Sequence, residues 1–432
     1  MWQEFSPLAV RMGAVNLGQG FPDWPTPDFV KNAMKKAQDD NANQYCRSAG
    51  HVPLVQALAK RYTAQLGRPI NWETEVCVGV GASETLFAAM QALVEPGDEV
   101  VLITPAFDIY APQVQMAGGE CVYVPLRLAA AAGGGGGDGG GGGGGAPGGA
   151  PAAASWRLDM AELRAAFTPR TRVLLLNTPQ NPTGKVFSAG ELAEIAAILA
   201  DFPAVVAVCD EVYEHMVYGG ARFPRLATLP GMWERCVTIS SSGKTFSCTG
   251  WKIGWAVGPP LLIGGIIVTN QWVQFSTCTP AQEAIAAALD AADQPCEGFP
   301  TYYAWLLAQY ERKRDLLMAG LAAAGLRPVR PEGGFFIIAD TSNVAFPDSF
   351  MALRTKAAPV MRRDWAFCRF LCEELKVGAI PPSAFFDEKD KHLAANMVRF
   401  AFCKADESLV EASKRLLQLR ERAKDPALLP PL

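Results

Sequence analysis

Two lysines stand eight residues apart in the stretch Val237–Pro259, VTISSSGKTFSCTGWKIGWAVGP. Lys244 lies in a bend of serines and glycine after a short β-branched run, and Lys252 precedes a second strand-like run. A lysine in a small-residue turn after a buried strand has limited freedom, and burial or nearby cations lower its pKa. Such an amine can form a Schiff base with an aldehyde. A solvated loop lysine gives the same local pattern, so this stretch alone leaves both readings open.

Three other stretches place polar groups in or after apolar runs. NTPQNPTG (Asn177–Gly184) carries Asn181, DEVY carries Asp210 and Tyr213, and MVRFAFCK sets Arg399 inside an otherwise apolar strand. Taken singly, NPTG is a turn, Asp210 a helix cap, and Arg399 a core arginine paired with an acid. Upstream, EVCVGVG runs into GASETLFAAMQALV, where Gly79, Gly81 and Ala82 precede a helix with Ser83 and Glu84 near its start. Backbone amides at such a start form an anion site; a plain strand–helix turn is the competing reading.

These groups sit in a chain of 432 residues, long enough for two or three domains with a large core. Apolar content of 50% with 19% charged residues describes a globular enzyme and not a disordered or fibrous chain. A net charge of −4 gives nucleic-acid binding no electrostatic support. The eleven cysteines show no CxxC pair, which fits a reducing compartment, and the three histidines (His51, His215, His392) form no metal-ligand motif. No metal is expected. MWQEFSPLAVRMG lacks the basic start and apolar core of a signal peptide. The apolar stretch Trp255–Val268 is broken by Gly258, Pro259, Pro260, Gly264 and Gly265, short of the roughly 20 residues a bilayer needs. No membrane association is expected, and the expected compartment is the cytoplasm, or an organelle if a targeting segment precedes this chain.

The elements that must hold the polar groups are legible as a rhythm. EVVLITPAF, GECVYVPL, TRVLLLNTP, AVVAVCDEVY and CVTISSS are near-continuous apolar runs ending in polar or turn residues, with helical segments such as AGELAEIAAILADF between several of them. Strands buried on both faces read this way, so an α/β fold with a mostly parallel sheet follows, its ligand at the strand ends. A helix is expected near Pro27–Gln38, with Thr26 as cap and Pro27 as its first residue. Residues 129–154 are almost only Gly, Ala and Pro and are expected to be a disordered surface insertion. Beyond Thr301 a long helix, an edge strand in RPVRPEGGFFIIADTS and the strand MVRFAFCK suggest a smaller α+β domain. The expected division is an N-terminal arm (1–27), a large domain (28–310) and a small domain (311–432).

Together and in this order, the motifs resemble those of fold-type I, pyridoxal-phosphate-dependent aminotransferases of class I/II, over nearly the whole chain except the Gly/Ala stretch. VNLGQGFPDWPTPDF, LNTPQNPTGKVFS, DEVYEHMVY and the final VRFAFCK are especially similar to kynurenine aminotransferases, a group overlapping glutamine transaminase K and cysteine-S-conjugate β-lyase. The resemblance implies a seven-stranded, mostly parallel sheet and transfer of an amino group from an L-amino acid of the kynurenine, glutamine, methionine or aromatic type to a 2-oxo acid. A β-lyase and a methionine-type, broad-specificity transaminase are the alternatives; a non-catalytic module of the same fold has little need of Lys244, Asp210, Tyr213 and Arg399 together.

The resemblance also assigns roles. Lys244 would hold pyridoxal 5′-phosphate as an internal aldimine and then shuttle a proton. Asp210 would face the pyridine nitrogen and keep it protonated, Tyr213 and Asn181 would bond the ring's 3′ oxygen, and Phe107 would lie against one ring face. The phosphate would sit on the amides of Ala82 and Ser83, with the Ser241 hydroxyl and the Lys252 ammonium, a lysine where many relatives have arginine. Tyr45 matches a tyrosine that reaches the neighbouring subunit's phosphate, which implies a homodimer. Arg399 would clamp the substrate carboxylate with a fork left open until substrate arrives, and Trp2 and Gly20 match pocket-lining positions. Two departures stand out: Ser83 replaces a tyrosine frequent in animal kynurenine aminotransferases, and FSTCTP, with Thr277 and Cys278, replaces their Phe-His pair. Both look more like methionine-type or broad-specificity relatives.

Overall fold

The computed structural model describes residues 1–129, 156–220 and 223–430. The expected insertion therefore lies outside the described residues except for Ala129. Its flanks meet: Arg127–Leu128 pairs antiparallel with Trp156–Arg157.

Strands β1 (Val76–Val80), β2 (Glu99–Thr104), β3 (Glu120–Pro125), β4 (Thr171–Asn177), β5 (Val206–Asp210), β6 (Cys236–Ser241) and β7 (Ile253–Val257) form one sheet. Their spatial order is β1-β7-β6-β5-β4-β2-β3. Strands β2 to β6 run parallel, and β7 is antiparallel to both β1 and β6. Every residue of β2 and β6 is buried, as parallel strands covered on both faces require. The register sets Asn177 beside Asp210 and Asp210 beside Ile239. The polar last residues of β4, β5 and β6 therefore gather at one sheet edge.

The elements around that edge are α1 (Trp2–Arg11), α2 (Asp28–Asp39), α3 (Gly81–Leu93), α4 (Tyr110–Met116), α5 (Ala189–Asp201), the single turn α6 (Ser242–Thr245) and α7 (Pro260–Val273). Helix α5 opens on a full capping box, Ser188 with Glu191, which satisfies two otherwise free amides. Helix α2 differs from expectation: Pro27 is its cap, and the Thr26 hydroxyl instead donates to the Ser247 carbonyl at 2.8 Å.

Beneath the edge lies a buried ion network. Arg225 donates to Glu211 and, at 2.6 Å, to Glu214, which also accepts from Tyr62 (3.0 Å) and Ser240 (2.6 Å). Trp255 of β7 donates to Tyr62 at 3.0 Å. Buried charges persist only when paired and hydrogen-bonded. This network ties the segment after β5 to β6 and β7, and thus braces the floor of the site.

Helix α8 (Tyr302–Ala323) leads to a three-stranded antiparallel sheet, β8 (Arg327–Val329), β9 (Phe336–Asp340) and β10 (Met397–Ala401), followed by α9 (Asp406–Leu416). The stretch expected to give one edge strand gives two, β8 at the sheet edge and β9 as the central strand. The first four residues of β9, FIIA, are all buried, and a strand without a polar face needs a neighbour on each side. Val15–Asn16 pairs with Val377–Gly378, and the Ala401 amide donates to the Leu17 carbonyl, so the N-terminal stretch lies beside β10. Among the described residues no helix is long and apolar enough to cross a membrane.

Candidate active site

At the carboxyl ends of β4 to β6 the chain encloses a cavity of about 280 Å³. Its wall includes Lys244, Asp210, Tyr213, Asn181, Phe107, Ala82, Ser83, Ser241, Lys252, Arg399, Gly20 and Trp2. Residues scattered over nearly 400 positions are thus brought to one place. Tyr45 is not among them: it is 82% exposed and packs its ring against Phe275 on the outer surface.

Lys244 projects from α6, directly after β6. Its ammonium donates to the Gly20 carbonyl at 2.8 Å and lies 5.3 Å from the Phe335 ring. Burial lowers its pKa to about 8, with Arg399 and Lys252 pushing the same way and Cys403 and Asp210 opposing. A solvated loop lysine is excluded by this setting. The amine exists in appreciable neutral fraction near neutral pH, as a nucleophile requires.

Asp210 ends β5. Its Oδ2 accepts from the Tyr110 hydroxyl at 2.6 Å and its Oδ1 from the Val212 amide at 3.3 Å. Burial raises its pKa, while the Tyr110 hydrogen bond acts against the rise. Asn177 was missed by sequence reasoning, yet its amide group donates to the Asp210 carbonyl (2.9 Å) and its Oδ1 accepts from the Asn181 amide (2.8 Å). It thereby fixes the NTPQNP loop to the end of β5. Tyr110 was missed too, although it stands three residues after Phe107, where a helical turn would bring the two rings together; they meet edge to face at 5.8 Å.

One end of the cavity is built for an anion. The amides of Ala82 and Ser83 open α3, and the Ser241 hydroxyl and Lys252 ammonium line the same wall. Lys252 adopts a left-handed backbone (φ 57°), uncommon for a residue with a Cβ. A Cβ on Gly81 would lie 3.0 Å from its Nζ, so the ammonium stands at the helix start. Gly254 makes that approach feasible, since a Cβ there would come within 2.4 Å of the Ala82 nitrogen.

The opposite end belongs to Arg399 of β10. Its Nη1 donates to Asn181 Oδ1 at 2.9 Å and its Nη2 to the Gly18 carbonyl at 2.7 Å, while Nε has no partner among the described residues. One N–H of each terminal nitrogen is thus engaged by the protein, which leaves the second N–H of each for a substrate carboxylate. The guanidinium lies over the rings of Phe336 (4.1 Å), Phe385 (4.9 Å) and Trp2 (5.7 Å), contacts that offset the cost of burying it. Burial lowers its pKa to about 10, which leaves it charged at neutral pH. Trp2 is held by a 2.6 Å hydrogen bond to Asp108, which draws α1 onto the site.

Comparison with known proteins agrees with this geometry. Residues 13–414 match the family described as Aminotransferase class I and II. The chain is 46% identical over 424 residues to kynurenine–oxoglutarate transaminase of Dictyostelium discoideum, covering 98% of this chain and 94% of that one. It superposes on the structure of N-succinyldiaminopimelate aminotransferase from Mycobacterium tuberculosis with a TM-score of 0.82 at 42% identity, covering 97% and 96% of the two chains. An Escherichia coli protein with a methionine aminotransferase function gives a TM-score of 0.82 at 31% identity, covering 97% and 96%. With a family match over nearly its whole length and these similarities, the chain is an enzyme that belongs to the class I and II aminotransferases and has their type I fold.

Proposed function

We propose that this enzyme is a pyridoxal-phosphate-dependent transaminase for large uncharged L-amino acids of the kynurenine, glutamine, methionine or aromatic type, with a 2-oxo acid as acceptor. The observation that carries the reading is the buried Lys244 amine, its pKa lowered to about 8, in one cavity with Asp210, an anion site and Arg399. The cavity fits the cofactor at both ends: the α3 start with Ser241 and Lys252 suits a phosphate, and the buried Asp210 suits a ring nitrogen that carries a proton. When bound, pyridoxal phosphate supplies an aldehyde for amine exchange and an electron-withdrawing ring that stabilises charge at the substrate Cα.

The remaining chemistry belongs to the chain. Lys244 Nζ would hold the cofactor through its aldehyde carbon, and the freed amine would take the proton from the substrate Cα as a general base and return one as a general acid. Asp210, oriented by Tyr110 and Asn177, would provide the negative charge that keeps a proton at the ring nitrogen. Tyr213 and Asn181 would hold the ring's 3′ oxygen, and Phe107 would pack against the ring. Arg399 orients the substrate carboxylate, with Asn181 Oδ1 and the Gly18 carbonyl as its waiting acceptors. Trp2 and Gly20 close the substrate side.

The active form we assign is a homodimer. Helix α7 exposes Leu261, Val268, Trp272 (79% exposed) and Val273 on a surface continued by Phe275 and Tyr45. Contiguous exposed apolar groups of this size mark an interaction surface. A second copy would cover it and would bring its own Tyr45 to the phosphate end of this chain's site.

The test is a panel of amino donors against several 2-oxo acids, with pyruvate scored for β-elimination, together with absorption spectra of the wild type and Lys244→Ala. The expected result is transamination and a visible band lost on borohydride treatment, both absent in Lys244→Ala. A colourless, inactive wild type, or substantial turnover by Lys244→Ala, refutes the assignment.

A further inference from the structure

The loop Gly18–Phe21 is held by three cations, two of them fully buried, each donating to a main-chain carbonyl. Arg399 Nη2 holds Gly18 at 2.7 Å, Lys244 Nζ holds Gly20 at 2.8 Å, and Lys404 Nζ holds Phe21 at 2.7 Å. The first two cations have work in the reaction. Lys404 has none: it follows β10 outside the cavity wall, is 2% exposed, and has no carboxylate within ion-pair distance among the described residues.

Burial disfavours the Lys404 ammonium, and the Asp23 carboxylate offsets this only from beyond ion-pair distance. What it touches is Phe21. Its Nζ accounts for the carbonyl and also lies 4.1 Å from the centre of the Phe21 ring. Lys404 is itself immobilised, because the buried Lys313 ammonium donates to the Lys404 carbonyl at 2.8 Å and pairs with Asp406 at 2.6 Å. Phe21 lines the cavity and remains 41% exposed, which places its ring at the mouth. The preceding residue has no latitude: a Cβ on Gly20 would come within 2.5 Å of Phe336.

We propose that Lys404 is a positioning residue for substrate selection: by holding the Phe21 carbonyl and ring it fixes the mouth of the pocket against which a large amino-acid side chain packs. This rests on the reading of the cavity as an amino-acid site. A small side chain does not reach Phe21, so the selectivity for large over small donors is the property Lys404 controls.

The experiment compares kcat/KM for phenylalanine and alanine in the wild type, Lys404→Met, Lys404→Arg and Phe21→Ala, with hydrogen–deuterium exchange of residues 18–24 in the cofactor-free proteins. Loss of one hydrogen bond to a charged group predicts a phenylalanine-to-alanine ratio about tenfold lower in Lys404→Met, mainly through KM. Phe21→Ala, which removes a half-exposed ring, should lower the ratio similarly, and Lys404→Arg should restore it. Exchange over 18–24 should be faster in Lys404→Met. An unchanged ratio in Phe21→Ala, or equal losses for both donors in Lys404→Met, overturns the proposal. If the wild type transaminates neither donor, the functional reading fails by itself; unchanged exchange in Lys404→Met then still overturns the positioning role.

Discussion

Replacing Arg399 with lysine separates carboxylate recognition from fold support. The charge stays, but a guanidinium offering two parallel N–H donors becomes a single ammonium. A hydrogen bond to a charged group contributes about 1.5–3 kcal/mol, so losing one of the pair lowers kcat/KM for an amino acid roughly 10- to 150-fold. The structure adds a second cost. Asn181 Oδ1 and the Gly18 carbonyl are served by Nη1 and Nη2 at 2.9 and 2.7 Å, and one ammonium cannot reach both in the same geometry. Leaving one buried acceptor unpaired costs about 1–3 kcal/mol of stability. The two effects are separable, because the second does not depend on substrate. The assay is steady-state kinetics with an amino acid and its matched amine lacking the carboxylate, beside thermal unfolding. KM should rise for both the amino acid and the 2-oxo acid, which present the same carboxylate, and kcat should fall from misorientation of Cα. The amine should lose far less. Equal losses for amine and amino acid would show that Arg399 supports the fold and does not hold substrate.

Asp210→Asn should lower kcat by about 10²–10³, the usual cost of removing one electrostatic partner of a developing charge. Its melting temperature should not fall, because burial already disfavours the carboxylate there; an unaltered rate would show that another group holds the ring proton. Lys244 should capture a small aldehyde in the cofactor-free protein with half-maximal rate near pH 8, rising with pH as the amine loses its proton; a midpoint near its ordinary value of 10.5 would refute the buried setting. The same shift makes stability rise between about pH 8 and 10.5, because the unfolded chain there holds a proton that the folded amine has released, and Lys244→Met should flatten that slope in urea titrations. Trp272→Glu should turn a dimer into a single chain by analytical ultracentrifugation; an unchanged mass would show that the α7 face is not the dimer interface.

The strands and the site residues they carry were legible before any coordinates, and the reason is local. A strand buried on both faces must be apolar throughout, so TRVLLLN, VAVCD and CVTISS declare themselves, and the first polar residue after each apolar core marks a sheet edge. Asp210 stands at such an end, and Asn181 and Lys244 lie a few residues beyond theirs; Asn177, which ends TRVLLLN, meets the same rule and was passed over. The places of Ser241 and Lys252 beside Lys244 came from the family resemblance and not from the strand pattern. What the sequence could not decide is which carbonyls and hydroxyls these groups would meet. Tyr110 bonds a carboxylate 100 residues away, and Arg399 and Lys404 each hold a carbonyl more than 380 residues away. Hydrogen bonding at such separation depends on how the N-terminal stretch is laid along β10, and no local pattern encodes it. The half-engaged fork of Arg399 and the central place of β9 came from that same packing. The lowered pKa of Lys244 did as well, since burial is a property of everything folded around the amine and not of the turn that bears it.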